Sequence, residues 1–305
     1  EQVPVTIQGA KTGITGAGVP MGGHILNLSH MNQVIGHSTM EDGTGRITVE
    51  PGINLMELRK EIAARFRKEH LFWPPDPTET SASIGGIAAS GAQGISHMLY
   101  GETEDYIESI RLIDGAGNVR DISRGQEEEI LPGEKMDALD MVLGKEGITG
   151  IITRITLKLI PKPEAVWGIV FFFEEKDGAA GFVDMLRSEL PEAEDAKIAA
   201  VEYMDRRSMD LIEARKETMT KIKELPDIEE QIQALVYTEL QGSEEGIEVI
   251  AESLMEAAME CGSDPDQAWA LSGETEVEKL HAFRHAAAET ANLFIEEQRR
   301  KDDRI

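Results

Sequence analysis

The run SASIGGIAASGAQG, residues 81–94, fills 11 of its 14 positions with glycine, alanine or serine and carries no charge, in a chain that is 29 % charged. Two more runs share that character. QGAKTGITGAGVPMGG (8–23) directly follows the strand-like VPVTI (3–7), and GKEGITG (144–150) directly precedes a strand-like stretch at 151–160. Glycine permits positive φ and lets another group approach with no Cβ in the way, and successive backbone N–H groups in such turns form concavities for phosphate oxygens. Any one of these loops reads equally well as a turn or a close strand crossing. Three of them, each beside a strand in one half of the chain, point to a ligand received by main-chain amides. The familiar nucleotide signatures are absent: there is no G-x-x-x-x-G-K-[ST], Gly13, Gly16 and Gly18 have the wrong spacing for G-x-G-x-x-G, and Pro20 follows them. No Gly-x-Ser-x-Gly elbow is present for a hydrolase.

At 305 residues two domains are expected. The first part alternates in the β manner through 3–7, 46–50, 106–113 and 119–122, with an amphipathic helix predicted over 53–70. Asn54 is the candidate N-cap of that helix, with Glu57 three residues on, and Leu55, Leu58, Ile62 and Phe66 form its apolar face. TGIITRITLKLIPKP (149–163) alternates through Ile155, Leu157 and Leu159, and its prolines mark a boundary, giving domains 1–163 and 164–305. Beyond it, strands at 165–173, 197–204, 233–240 and 267–272 alternate with helices near 178–190, 206–223, 244–261 and 274–301. That pattern predicts a sheet covered by helices on one face. EEKDG, PEAEDA and RGQEEE read as solvated turns.

With 57 acidic and 30 basic residues the net charge is −27, which argues against nucleic acid or anionic lipid as a partner. The longest apolar run, AVWGIVFFF, is too short to span a bilayer, and residues 1–20 show no signal-peptide pattern. Cys261 is the single cysteine and reads as a small helix residue; it excludes an internal disulfide and points to a reducing, cytoplasmic compartment.

VPVTIQGAKTGITGAGVPMGGHILNLSHMNQV, PPDPTETSASIGGIAASGAQG and GKEGITGIITRITLKLIPKP together resemble the FAD-binding domain of the vanillyl-alcohol oxidase/PCMH superfamily, and most of all its D-lactate dehydrogenase/glycolate oxidase group. The likeness runs from residue 2 to about 163. It continues more weakly through VEYMDRRSM (201–209) and KLHAFRHAAAE (279–289), which are similar to the group's substrate or cap domain. The resemblance implies an α+β fold: a PCMH-type FAD-binding domain, N-terminally incomplete, followed by a partial α/β cap domain. It implies noncovalent FAD, with the pyrophosphate on Gln8, Gly9, Ala10, Lys11, Thr12 and Gly13 and on Pro75, Asp76, Ser83, Ile84, Gly85, Gly86, Ser90, Gly91 and Gly94. Gly147, Gly150 and Ile152 would lie near the adenosine part. The family's first loop usually reads Arg-Gly-x-Gly-Thr; here Gln8 replaces the arginine and Lys11 the middle glycine. The chain reads as a fragment that begins about one strand and one helix late, with the general base and any metal cluster expected beyond Ile305.

By the same resemblance Arg284 is the substrate-carboxylate contact, a task suited to a planar bidentate fork. The hydroxyl partner expected one turn later is Ala288, and an ion pair with Glu278 or Glu289 is the alternative use of Arg284. His281 and His285 have i, i+4 spacing but no third metal ligand in sequence, so no metal is assigned. His97 follows the second loop, and Trp73 beside Pro74 and Pro75 serves either the cofactor or the core. The implied protein is an FAD-dependent oxidoreductase acting on a small 2-hydroxy acid, with electrons leaving to an electron-transfer flavoprotein, an iron–sulfur subunit or a quinone. It would be cytoplasmic or peripheral at the membrane. The competing readings are a non-catalytic flavin-fold subunit and a non-redox enzyme like alkylglycerone-phosphate synthase.

Overall fold

The computed structural model describes residues 3–301. The chain divides between Lys162 and Pro163 into two compact units. In the first, β1 (Val5–Gln8) and β2 (His24–Asn27) form a parallel pair around the first glycine loop. Then follow β3 (Val34–Thr39), β4 (Gly45–Val49), α1 (Leu55–Arg65), β5 (Leu71–Phe72), α2 (Ile84–Ser90) and α3 (His97–Tyr100). Strands β6 (Ile107–Ile113), β7 (Val119–Ser123), β8 (Glu127–Leu131), β9 (Glu134–Asp137) and β10 (Ile151–Pro161) complete the unit. An antiparallel sheet runs β3-β4-β10-β6-β7, with β5 pairing the far end of β10.

Asn54 does cap α1, its side chain accepting from Glu57 N at 2.8 Å. The helix stops at Arg65, short of the expected 70, because Phe66 turns into the core and His70 takes φ +50°. Leu55, Leu58, Ile62 and Phe66 pack with Ile47, Val49, Ile155, Leu157 and Leu159 in one buried cluster, each large side chain contributing about 1.5–3 kcal/mol. The alternation read in β10 is thus the inward face of the sheet. RGQEEE is not a turn throughout: Glu127 opens β8, an exposed strand hydrogen-bonded to β9.

The second unit is a four-stranded antiparallel sheet of β11 (Ala165–Phe173), β12 (Ala196–Asp205), β13 (Ala234–Gly242) and β14 (Trp269–Ser272), ordered β12-β13-β11-β14. Its helices are α4 (Lys176–Ser188), α5 (Arg206–Glu213), α6 (Glu244–Glu260) and α7 (Glu274–Lys301). The expected one-sided cover is corrected: helices lie on both faces. On one, Phe171, Phe173, Val236 and Leu240 meet Phe182 of α4 and Ile250 and Leu254 of α6. On the other, α7 buries Val277, Leu280 and Phe283. A Cβ on Gly168 would fall 2.6 Å from Leu280 Cδ1, so glycine there lets α7 settle on β11. Trp269 stacks edge-on between Phe172 and Phe283, with centroids 4.9 and 5.8 Å away. Cys261 is half-buried at the α6 C-cap, its Sγ 3.3 Å from Met185 Sδ.

Candidate functional site

In unit 1 the three small-residue runs meet. The second is a helix rather than a loop over 84–90: Ser83 caps α2, and Gly91 ends it at φ +60°. Glycine and serine are poor helix formers, so the helix depends on that cap and on burial of Ile84, Ile87 and Ala88. Ser83 Oγ also accepts from Ala10 N at 3.4 Å, tying the first loop to the start of α2. Gly9 allows this approach, since a Cβ there would fall 2.1 Å from Ser83 Oγ. Gln8 Nε2 donates to Gly18 O at 2.8 Å and closes the first loop on itself. The third run joins at the other end of α2, with Gly144 N donating to Ala88 O at 3.1 Å and Glu146 N to Ala89 O at 2.6 Å. Its Gly147, at φ +79°, lies against Ile7 of β1.

The donors differ in availability. The amides of Ile84, Gly85 and Gly86 already donate to Ile53 O, Pro51 O and Ser83 Oγ. Lys11, Thr12, Gly13 and Gly94 offer amides that donate to no group among the described residues. Lys11 holds φ +64°, in the left-handed region that favours glycine, and its side chain is exposed. Gly13 has open space on its Cβ side, as a cradle for a diphosphate requires. At Gly85, Gly94 and Gly150 the Cβ positions are taken by Pro51, Asp76 and Ile113 O, so packing there admits only glycine. Pro75 is buried, Asp76 pairs with Arg59, Ser90 Oγ bonds Gly86 O at 2.8 Å, and Ile152 is core. Trp73 is buried with Nε1 on Tyr106 O, a core role, and His97 starts α3. The donor set suits an anion bound by main chain. Replacing Ser83 by alanine removes a cap worth about 1 kcal/mol; urea unfolding of unit 1 shifts accordingly, and FAD titration shows weaker uptake. Unchanged uptake would separate the cap from the cradle.

Unit 2 holds a second constellation, under α7. Arg284 Nε donates to Glu202 on β12, and Glu278 pairs with Lys221. His281 Nε2 meets Glu239 on β13, which also accepts from Tyr237 Oη at 2.8 Å and Gln241 Nε2 at 2.7 Å. Burial pushes the Glu239 carboxyl up, but the bonds from His281, Tyr237 and Gln241 together outweigh it and hold the group below the ordinary carboxylate value. Burial first, then the Glu239 charge, drives the Tyr237 hydroxyl well above its usual pKa. Sequence reasoning missed Glu202, Tyr237 and Glu239. The signal was a glutamate inside the strand-like ALVYTEL, since charges are seldom fully buried unless paired. Among the described residues no group of three or more His, Cys, Asp or Glu could hold a metal.

Residues 1–123 match the FAD binding domain family. The chain is 28 % identical over 266 residues to a D-lactate dehydrogenase of Anaerostipes hadrus, covering 86 % of this chain and 52 % of that protein. It is also 28 % identical over 223 residues to the glycolate oxidase subunit GlcD of Bacillus subtilis (strain 168), covering 70 % and 42 %. Among solved structures, an alkyldihydroxyacetonephosphate synthase superposes with a TM-score of 0.68 at 19 % identity, covering 94 % of this chain and 52 % of that one, a likeness of fold. The chain thus spans about half the length of the curated relatives it matches. Residues 1–123 thus carry an FAD binding domain, with FAD as its cofactor. Beyond that domain the chain is similar, at 28 % identity, to proteins named D-lactate dehydrogenase and glycolate oxidase subunit GlcD.

Proposed function

We propose that this chain works in the FAD-dependent oxidation of a small 2-hydroxy acid of the D-lactate or glycolate type. The observation that carries the reading is the meeting of the 8–13 loop, the capped start of α2 and the 144–150 loop in one unit, through Ser83 and the Ala88 and Ala89 carbonyls. When bound there, FAD supplies a hydride acceptor for the substrate α-carbon. The amides of Lys11, Thr12, Gly13 and Gly94 hold the diphosphate, and Ser83 keeps the first loop in register with α2. Arg284 takes the substrate carboxylate through its planar fork. The names of the relatives support the substrate class, and the word subunit in one of them supports a protein acceptor such as an iron–sulfur subunit or an electron-transfer flavoprotein, with a quinone as the other outlet. No helix among the described residues is long and apolar enough to cross a membrane, and we place the protein in the cytoplasm or at the membrane periphery.

The test is direct. The purified chain, denatured, should release flavin, and anaerobic D-lactate or glycolate should perturb or bleach the flavin spectrum of the native protein. A colourless protein that takes up no added FAD overturns the reading. Bound flavin that responds to neither acid would leave a flavin-fold subunit without this substrate.

A further inference from the structure

On one face of the unit 2 sheet α4 and α6 lie side by side, and a groove of about 780 Å³ runs between the second half of α4, the turn that follows it and α6. Met185, Leu186, Leu190, Pro191 and Ala257 give it an apolar floor. Met185 and Leu190 are both 38 % exposed, and Val249, one turn before the lining Ser253, is exposed as well. The rim is acidic. Asp184, Glu189 and Glu192 line it, and no lining residue is basic. Glu192 pairs with Lys197 at 3.5 Å, whereas Asp184 and Glu189 have no cation within 4 Å among the described residues. Helix α6 carries six glutamates and no basic residue. Glu248, Glu252, Glu256 and Glu260 repeat at i, i+4, where like charges weaken a helix, and Glu260 lies at the C-terminal end, where the dipole disfavours an anion. Glu256 and Glu260 stand three residues on from Ser253 and Ala257, which line the groove, and so extend its rim.

The whole chain is acidic, so carboxylates alone single out nothing; what sets this place apart is their position around exposed apolar side chains in a groove. Both long walls are helices, whose main-chain groups are bonded within themselves, so the groove does not add a strand. Its occupant brings a self-satisfied backbone, apolar side chains for the floor and positive charge for the rim. An amphipathic helix with apolar anchors at i, i+3, i+4 and i+7 and Lys or Arg beside them has all three. An exposed methionine suits that contact, because its flexible thioether chain adapts to anchors of different shape. We propose that the α4–α6 groove is a docking site for a basic amphipathic helix of a partner protein. The surface lies in unit 2, and the inference does not rest on the flavin reading above.

The full chain is titrated by calorimetry, in about 0.15 M salt, with the designed helix acetyl-LKKLLKLLKKLLKL-amide and with acetyl-LEELLELLEELLEL-amide, which keeps the apolar face and reverses the charge. The lysine helix should bind at a single site per chain and the glutamate helix should not bind. Removing three rim charges together, by Asp184→Asn, Glu189→Gln and Glu256→Gln, should weaken the lysine helix by at least about tenfold. Removing three exposed charges of unit 1, by Glu41→Gln, Glu69→Gln and Glu134→Gln, should weaken it by less than about twofold, since charges far from the contact are screened. Leu190→Asp separates docking from plain attraction by sign: it adds a negative charge but spoils the floor, so docking weakens where attraction would tighten. Cys261 reports locally, its Sγ lying 3.3 Å from Met185 Sδ, and the bound lysine helix should slow its alkylation by iodoacetamide. No binding of the lysine helix overturns the proposal. So do equal losses in the two triple variants, tighter binding to Leu190→Asp, or an unchanged rate at Cys261.

Discussion

Replacing Gly94 by alanine is expected to cost the chain most of its FAD. The added methyl would lie 2.5, 2.6 and 2.7 Å from the N, C and O atoms of Asp76. These are main-chain atoms, and that main chain cannot yield easily. Pro75 and Pro77 flank Asp76, so φ is fixed at both neighbours and Asp76 itself is confined by the proline after it. Asp76 is further tied to Arg59 of α1. The 94 turn must therefore move off the proline segment, carrying with it an amide assigned to the diphosphate. Overpacking of this kind costs about 1–3 kcal/mol, and the same displacement should weaken FAD by more than about tenfold, since 1.4 kcal/mol already suffices for that factor. Flavin fluorescence titration with parallel urea unfolding measures both. Gly115→Ala, where nothing lies within 4 Å, is the matched control. If Gly94→Ala takes up FAD as the wild type does, the 94 turn has no part in the cradle.

Which parts of the fold were legible follows from the range of the forces that make them. The α1 cap at Asn54 and the nine-residue strand Ala165–Phe173 are local patterns, located from residue type and a short apolar run. Helix α2 escaped because its composition argues for a loop; a single serine hydroxyl and three residues buried by distant partners reverse that preference. The second cover of the unit 2 sheet was likewise hidden, since Gly168 admits Leu280 from 112 positions away and no local period announces it. In the site, the first loop could be read from its glycines, whereas the commitment of the Ile84, Gly85 and Gly86 amides to internal partners could not. Arg284 illustrates the same limit: sequence pointed to the helical neighbours Glu278 and Glu289, and the fold also brings Glu202 from 82 residues away onto its Nε.

The buried Glu239 should be the most sensitive side chain of unit 2. Glu239→Ala would leave the Tyr237 hydroxyl, the Gln241 amide and His281 without the acceptor they share, in a site where Tyr237 and Glu239 are 5 % and 1 % exposed. Breaking a buried pair by removing one partner costs about 3–5 kcal/mol, far more than the loss expected for a surface ion pair such as Lys221–Glu278. Urea unfolding followed through Trp269, which stands against Phe283 of α7, reads this unit. Glu239→Gln, which keeps an acceptor but not the charge, should fall between the two. The pH dependence carries a definite sign. Because the folded-state value of Glu239 lies below the ordinary 4.5, the unfolded chain binds the extra proton first. The stabilisation is therefore complete above about pH 4.5 and is lost as pH falls through the lowered folded value, so the wild type loses stability on acidification there while Glu239→Gln shows a flatter acid limb. An equal acid slope in both would mean that the carboxylate is not ionised in the folded protein, and His281 would then be held by a neutral hydrogen bond instead of a charge.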